Sequence, residues 1–206
     1  TRQTLVSTPD RHLICFGTET TIGTASTQDD MYIRWSDQES LTSWTPTATN
    51  TSGTQRLADG TRIMGAVRGR DAIYVWTDHA LFVMKFVGAP FTFSFQQVGT
   101  GCGLIGKNAA VEVDGSAYWM SENGFFRYTG KLESLQCLVE DYVYDDINTV
   151  PRNHIFAGLN NLFGEVTWFY PGSGSTSNNR SVTYNYMDST SQRPVWTTSS
   201  LARSSW

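Results

Sequence analysis

The chain has 206 residues, which is enough for one or two domains with a sizeable core. It is rich in aromatic residues, Thr, Ser and Gly and lacks the long Ala/Glu/Lys/Leu tracts of helical proteins, so its composition favours strands and turns. The net charge is −4 and the fifteen Lys and Arg residues are scattered, which argues against tight binding of nucleic acid and leaves only passive contact with DNA.

Two further features of the composition exclude common classes of protein. Three cysteines without a C-x-x-C pair argue against a disulfide scaffold and against a structural zinc site: Cys15, Cys102 and Cys137. The most apolar stretch is interrupted by Lys85, Gly88 and Pro90, so we expect no membrane span. Because the chain begins with Thr1 and not with Met, we expect residues 1–206 to be a segment of a longer protein.

The first part of the chain contains two strand-like runs, "HLICFG" (12–17) and "YIRWSDQESLTSW" (32–44). In the second run a strand is expected to end in a polar turn and to restart near Trp44. The loop between the two runs, residues 18–30, is rich in Thr, Ser and Gly.

The central part of the chain repeats with an offset of 44 residues, for "AIYVWTDHALFVMKF" (72–86) can be placed over "SAYWMSENGFFRYTG" (116–130). Each copy is an aromatic strand, a short polar turn and a second aromatic strand, which is the pattern of a β-hairpin. We predict the turns at Thr77–Ala80 and Ser121–Gly124. Strand-like runs flank each hairpin on both sides, and four strands per repeat near this spacing are typical of a β-propeller blade.

The stretch "GTGCGLIGKNAA" (99–110) resembles a phosphate-binding loop, because Gly101, Gly106 and Lys107 fit G-x-x-x-x-G-K, and Gly103 completes G-x-G-x-x-G. Such a loop must lead into a helix, whereas the residues that follow alternate like a strand. Asn108 also stands where Ser or Thr would hold magnesium. The pattern therefore favours a turn between blades, and we expect neither a nucleotide nor any other cofactor.

Residues 139–148, "VEDYVYDDIN", form the one helical turn that the sequence predicts. We interpret its acidic residues as a solvated connector, with a calcium site as the alternative, although their spacing matches no EF-hand loop: Glu140, Asp141, Asp145 and Asp146.

The last part of the chain resembles the first, since "YNYMDSTSQRPVW" (184–196) matches residues 32–44 and "EVTWFYPG" (165–172) supplies the preceding strand. Here too a strand is expected to restart near a Trp, Trp196. The whole chain is thus predicted to be all-β and β-propeller-like, with about four four-stranded antiparallel blades that belong to a larger propeller. The approximate bounds of these blades are 1–60, 61–100, 101–150 and 151–200.

No set of residues stands out as a catalytic or metal site. The three histidines are far apart in sequence (His12, His79 and His154), and no nucleophile elbow is present. A sialidase-like propeller would need three converging arginines, and five are candidates: Arg34, Arg56, Arg62, Arg68 and Arg70. "SDQESLTSW" has the wrong spacing for an Asp-box, so a glycosidase is the weaker alternative to a propeller that binds a receptor or glycan through exposed aromatic rings.

Packing is the simpler interpretation of the aromatic residues, because each large ring contributes much apolar area to a blade core. We predict that five tryptophans are mostly buried between strands or blades: Trp35, Trp44, Trp76, Trp119 and Trp168. If most of them were instead exposed in one row, the binding of sugars would be favoured.

Three segments carry a resemblance to a family of bacteriophage virion proteins: "RWSDQESLTSW", "VGAPFTFSF" followed by "GTGCG", and "SENGFFRYTG". Over about residues 10–170 the chain resembles the β-propeller part of tail nozzle or hub proteins of short-tailed phages. These segments are blade-packing patterns and contain no catalytic motif.

The resemblance implies a structural protein of the virion tail that is not an enzyme and has no cofactor or metal. It implies a homo-oligomer, a hexameric ring around the DNA channel, with other tail proteins, adaptor or portal proteins and tail fibres as partners. DNA would pass through the ring without being held, and a mildly acidic wall suits such a conduit because basic walls would hold the phosphates.

Overall fold

The computed structural model describes residues 1–7 and 10–205. Strands make up 48% of the chain and helices 6%, so the prediction of an all-β fold is confirmed. The sixteen strands form four separate four-stranded sheets, and in each sheet the strands pair antiparallel with their neighbours in sequence. Each sheet is therefore an open antiparallel meander, which is the form of a propeller blade, as predicted.

The chain divides into two compact units, Thr1–Gly103 and Leu104–Trp206, with two sheets in each. The first sheet consists of β1 (Gln3–Ser7), β2 (His12–Glu19), β3 (Gln28–Trp35) and β4 (Gly53–Arg56). The second sheet consists of β5 (Ile63–Arg68), β6 (Ile73–Thr77), β7 (Ala80–Gly88) and β8 (Thr92–Thr100).

The second unit repeats this plan. The third sheet consists of β9 (Ala110–Val113), β10 (Ser116–Ser121), β11 (Gly124–Tyr128) and β12 (Leu132–Leu135). The fourth sheet consists of β13 (Phe156–Asn160), β14 (Glu165–Tyr170), β15 (Arg180–Asn185) and β16 (Trp196–Ser199). The segment between them holds the predicted helical turn, α1 (Glu140–Asp146), and a short 3-10 helix, Arg152–His154.

Alternation of apolar and polar residues along the strands determines which side chains form the core of the first unit. In β3 the side chains of Met31, Ile33 and Trp35 all point to one face and are buried, because successive strand residues face opposite sides. They join a cluster that includes residues of the second sheet, such as Val75 and Phe93. The ring of Trp35 meets that of Phe93 edge to face, with centroids 5.3 Å apart.

The core of the second unit contains several aromatic rings that pack on one another. Trp168 and Phe125 are fully buried, and their ring centroids lie 5.0 Å apart. Trp196 packs against both Phe125 and Tyr184, with centroid distances of 4.9 and 4.8 Å. The third and fourth sheets thus share one aromatic core.

The two central hairpins have the bounds that the repeat predicts. The β6–β7 turn joins Thr77 to Ala80, and the β10–β11 turn joins Ser121 to Gly124. In the first turn the buried hydroxyl of Thr77 accepts hydrogen bonds from the backbone N–H groups of His79 and Ala80, at 3.1 and 2.8 Å. A hydroxyl side chain at the first position of the turn can thus accept hydrogen bonds from the turn's own backbone. This explains why both copies of the 44-residue repeat have Thr or Ser there.

The restart of a strand near Trp44 is a wrong prediction. After β3 the chain makes a long loop, and β4 begins only at Gly53. A Cβ atom at Gly53 would lie 2.3 Å from Cζ2 of Trp35, so only glycine lets β4 pair at this place. The corresponding prediction for the end of the chain is confirmed, because β16 begins at Trp196.

Burial of the tryptophans follows the prediction at four of the five positions. Trp76, Trp119 and Trp168 are fully buried and Trp35 is 4% exposed. Trp44 is the exception, because it is only partly buried and lies in the loop before β4 and not between strands. Its indole N–H donates to the carbonyl of Leu41 at 2.9 Å. The four buried rings do not form an exposed row, so the tryptophans give no support for sugar binding.

Candidate functional site

The glycine-rich segment that resembles a phosphate loop leads from β8 into β9, with no helix after it. Gly103 lies against the backbone of Asp78, where an added Cβ would be 2.2 Å from the carbonyl carbon. A Cβ added at Gly106 would likewise lie 2.4 Å from the carbonyl oxygen of Arg152. Glycine is required at both positions because another part of the backbone lies where a side chain would be. The place of the segment between β8 and β9 confirms the prediction that it connects two blades.

The three histidines have separate surroundings. His12 is buried at the start of β2, and its Nε2 lies 3.0 Å from the hydroxyl of Thr51. His79 is exposed in the β6–β7 turn and lies 2.7 Å from a carboxylate oxygen of Asp59. Among the residues that the structure describes, no group of three or more His, Cys, Asp or Glu side chains could hold a metal ion. All three cysteines are free thiols.

Of the five arginines considered for a sialidase-like site, four have identifiable surroundings that differ. Arg34 is buried and donates to the carbonyl of Thr20 at 2.8 Å, while Arg56 pairs with Asp29 at 2.7 Å. Arg68 and Arg70 line a groove of about 200 Å³ that neither Arg34 nor Arg56 lines. Arg34 and Arg56 therefore lie apart from the groove that Arg68 and Arg70 line.

The acidic segment packs as a connector, as expected. From α1, the hydroxyl of Tyr144 donates to the carbonyls of Ser121 and Gly124, at 2.6 and 3.1 Å, and so holds the β10–β11 turn. Asp146 at the end of the helix pairs with Arg180 at 2.9 Å. Burial raises the pKa of the Glu140 carboxyl, and the neighbouring Asp141 adds to this effect. These carboxylates are spread along a helix whose Tyr144 faces the third sheet.

A groove of about 790 Å³ belongs to the second unit. It lies where the approach to β9 meets the start of β13, because Asn108 bridges Phe156 in parallel and the N–H of Ala157 donates to the carbonyl of Asn108 at 2.8 Å. The loop before β15 and the segment Ala202–Ser205 complete its walls. We call it the β9–β13 groove, lined by Lys107, Asn108, Asn153, His154, Phe156, Ala157, Ser177, Asn178 and Ala202–Ser205.

His154 ties two sides of the β9–β13 groove together. Its Nδ1 lies 2.8 Å from the carbonyl of Thr176, and because a carbonyl can only accept, this nitrogen carries the proton. Its own carbonyl accepts a hydrogen bond of 2.7 Å from the amide Nδ2 of Asn178. Asn178 is only 7% exposed. The loop before β15 is therefore attached to the 3-10 helix by two hydrogen bonds in opposite directions.

A second, smaller groove in the same unit has a volume of about 390 Å³. Its walls come from β12 and from the loop before β16, and its lining includes the ion pair of Arg127 with Glu133, which face each other on β11 and β12. Arg127 holds the pKa of the Glu133 carboxyl below its usual value by hydrogen bonding. With both charges already paired and partly exposed, this groove offers a ligand less unpaired charge than the β9–β13 groove does.

No pattern in the sequence predicts the β9–β13 groove as a unit, although Lys107 and His154 each belong to a candidate motif or residue type. Lys107 was considered within a glycine-rich loop, and His154 as an isolated histidine. Asn178 lies in the loop before β15, whose Ser- and Asn-rich composition is that of an ordinary loop. These residues come together through the isolated bridge between Asn108, just before β9, and Phe156 at the start of β13, which no local sequence pattern predicts.

Comparison with known proteins adds no family. The chain matches no protein-family model and no curated protein. None of the helices in the described residues is long and apolar enough to cross a membrane.

Proposed function

We propose that the chain is a structural component of a bacteriophage virion, part of a tail nozzle or hub that forms the conduit for DNA ejection. The observation that carries the proposal is the resemblance of three segments to such proteins. It is supported by where those segments lie, since each belongs to a strand end or turn that builds a sheet.

The first of these segments, "RWSDQESLTSW", contains the end of β3 and the loop after it. In that loop Asp37 accepts hydrogen bonds from the N–H and the hydroxyl of Thr51, at 2.8 and 2.7 Å. "VGAPFTFSF" forms the β7–β8 turn, and "SENGFFRYTG" contains the β10–β11 turn and β11. The matching residues therefore serve the architecture of the sheets, as a structural role requires.

In this role the protein is not an enzyme. It assembles with further copies of itself as a ring, expected to be hexameric, beside adaptor or portal proteins, other tail proteins and tail fibres. The net charge of −4 suits a wall that DNA passes without being held.

Localisation in a purified phage particle tests the proposal. Peptides of the chain should appear in the mass spectrum of isolated tails together with those of the portal protein, which serves as the positive control. Electron micrographs of the same particles should show a symmetric ring whose density accepts the four sheets. Recovery of the polypeptide only from the host cytoplasm, free of particles, would overturn the proposal.

A propeller that binds a receptor or glycan is the second candidate function, and the β9–β13 groove is the observation that favours it. It is compatible with a place in the virion, because a tail protein can contact the cell surface as well as form a channel. A glycan array with the purified chain distinguishes a binding protein, which is retained, from a purely structural one.

A further inference from the structure

The β9–β13 groove has a charge character that differs from the chain as a whole. The protein carries a net charge of −4, yet the described residues that line the groove include Lys107 and no acidic side chain. Among the described residues Lys107 forms no ion pair, and it is exposed. The groove therefore presents positive charge that is available to an anionic group of a ligand.

One wall of the groove is aromatic. Phe156 is half-buried and stacks on Phe169, with ring centroids 4.9 Å apart and planes 21° from parallel. Its ring is thus held in one orientation while it contributes to the groove. An aromatic surface next to a few well-placed polar groups is the usual composition of a ligand site. Such a surface fits the C–H face of a sugar ring.

The polar groups around Phe156 can both donate and accept hydrogen bonds. Asn108 and Asn153 are exposed and carry side-chain amides, which have two donors and one acceptor oxygen each. His154 uses Nδ1 on the carbonyl of Thr176, so Nε2 of the neutral ring is an acceptor for a hydroxyl. The hydroxyls of a ligand can pair with both the donors and the acceptors of the groove, whereas a bare inorganic anion only accepts and can pair with the donors alone.

The walls are also held in place before any ligand arrives. The loop before β15 is fixed by the two hydrogen bonds to His154, and the hydroxyl of Ser175 donates to the carbonyl of Ser177 at 2.7 Å. From the other side Asn148 donates to the carbonyl of Ser175 at 2.9 Å. Preorganised walls reduce the entropy that binding would cost.

We propose that the β9–β13 groove is a binding site for an acidic carbohydrate, a sugar that bears a carboxylate or a phosphate. Its volume of about 790 Å³ is suitable for two or three sugar rings. Lys107 pairs with the anionic group, Phe156 packs against a ring face, and Asn108, Asn153 and His154 bond the hydroxyls. The site is independent of the virion proposal, because a free protein and a tail protein could each carry it.

Calorimetric titration at low salt tests the site on the purified chain. The probes are sialyllactose and trigalacturonate as carboxylate-bearing sugars, glucose 6-phosphate as the phosphate-bearing one, and lactose as the neutral counterpart of sialyllactose. At least one acidic probe should bind about tenfold or more tightly than lactose, and this preference should weaken as salt screens the charge. The tightest acidic probe identifies which anionic group the site takes.

Two variants locate the binding. Lys107→Met should weaken the tightest acidic probe by about tenfold, as expected for the loss of one paired charge, and should leave lactose unaffected. Lys131→Met is the matched control, because Lys131 is an exposed lysine of the same unit that does not line the groove, and it should bind as the unchanged protein does.

Three results would overturn the proposal. The first is failure of all the acidic probes to bind at millimolar concentration, and the second is an equal affinity for lactose. The third is an equal loss of affinity in the Lys107 and Lys131 variants, which would indicate general attraction to the surface. Tighter binding of a short single-stranded oligonucleotide than of any sugar would assign the groove to nucleic acid instead.

Discussion

The two units have the same plan of two four-stranded sheets, but they join their sheets by different means. In the first unit the side-chain amide of Gln3 in β1 pairs with Ala66 in β5, donating to its carbonyl and accepting from its N–H, both at 2.7 Å. In the second unit the corresponding contact is made by backbone, between Asn108 and the start of β13. The hydrogen-bonded joint of the first unit is thus made by one side chain, and that of the second unit by backbone groups.

The turns show a similar contrast. Asp78 and Glu122 occupy matching positions of the 44-residue repeat. Asp78 accepts a hydrogen bond of 2.8 Å from the N–H of Thr61, which precedes β5 of its own sheet. Glu122 instead pairs with Arg152, which precedes the first strand of the next sheet, at 2.7 Å. The repeat therefore determines the position of the acidic residue in the turn, while the neighbouring segments determine which group it bonds to.

Removal of an aromatic ring from the core of the second unit should have the largest effect. Trp168→Ala deletes a fully buried side chain and its hydrogen bond of 3.0 Å to the carbonyl of Ala109. We expect the free energy of unfolding to fall by about 3–5 kcal/mol. Trp44→Ala, which removes a partly exposed ring in a loop, should cost about 1 kcal/mol or less. Urea titration followed by far-ultraviolet circular dichroism measures both, and equal losses would contradict this account of the core.

Substitution of the side-chain joint should have a smaller effect that is confined to the first unit. Gln3→Ala leaves both backbone groups of Ala66 without their partner, and we expect a loss of about 1–3 kcal/mol. Hydrogen exchange should become faster in β1 and β5, with no change in β9 and β13. Gln55→Ala is the matched control, since Gln55 is exposed and donates only to the carbonyl of its neighbour Arg56. Faster exchange throughout both units would show that the joint is not local.

Acid should weaken the first unit through His12. Burial lowers the pKa of this imidazole, against smaller opposing effects of the nearby Asp10 and Asp37 carboxylates. Because the fold disfavours the charged form, its contribution is complete above the pKa of unfolded histidine, about 6.5. It is lost as the pH falls from there through the lowered pKa of the folded state, by at most about 1.4 kcal/mol per pH unit.

The His12→Gln variant measures that contribution directly. Its amide can still donate to the hydroxyl of Thr51, but it does not titrate, so its stability should depend less on pH below 6.5 than that of the unchanged protein. Denaturant titrations at several pH values provide the comparison. Parallel curves for the two proteins would show that His12 is not the group responsible.

The sequence by itself determined the class of fold, the four sheets and the two central hairpins. These features are local: alternation decides which face of a strand is buried, and residues such as Thr77 close a turn through their own side chains. The one predicted helical turn, α1, is local in the same sense. Such features need no knowledge of what lies elsewhere in the chain.

Only the tertiary structure decided the features that depend on contacts between distant residues. β4 starts at Gly53 and not near Trp44, and its first residue is glycine because the ring of Trp35 leaves no room for a Cβ there. Likewise Lys107, His154 and Asn178 line one groove because β9 approaches β13 and because His154 holds the loop before β15. The physical reason is the same in both cases. In a closely packed structure, the residue that fits a position depends on the space and the hydrogen-bond partners that other strands supply there, and the local sequence pattern does not contain this information.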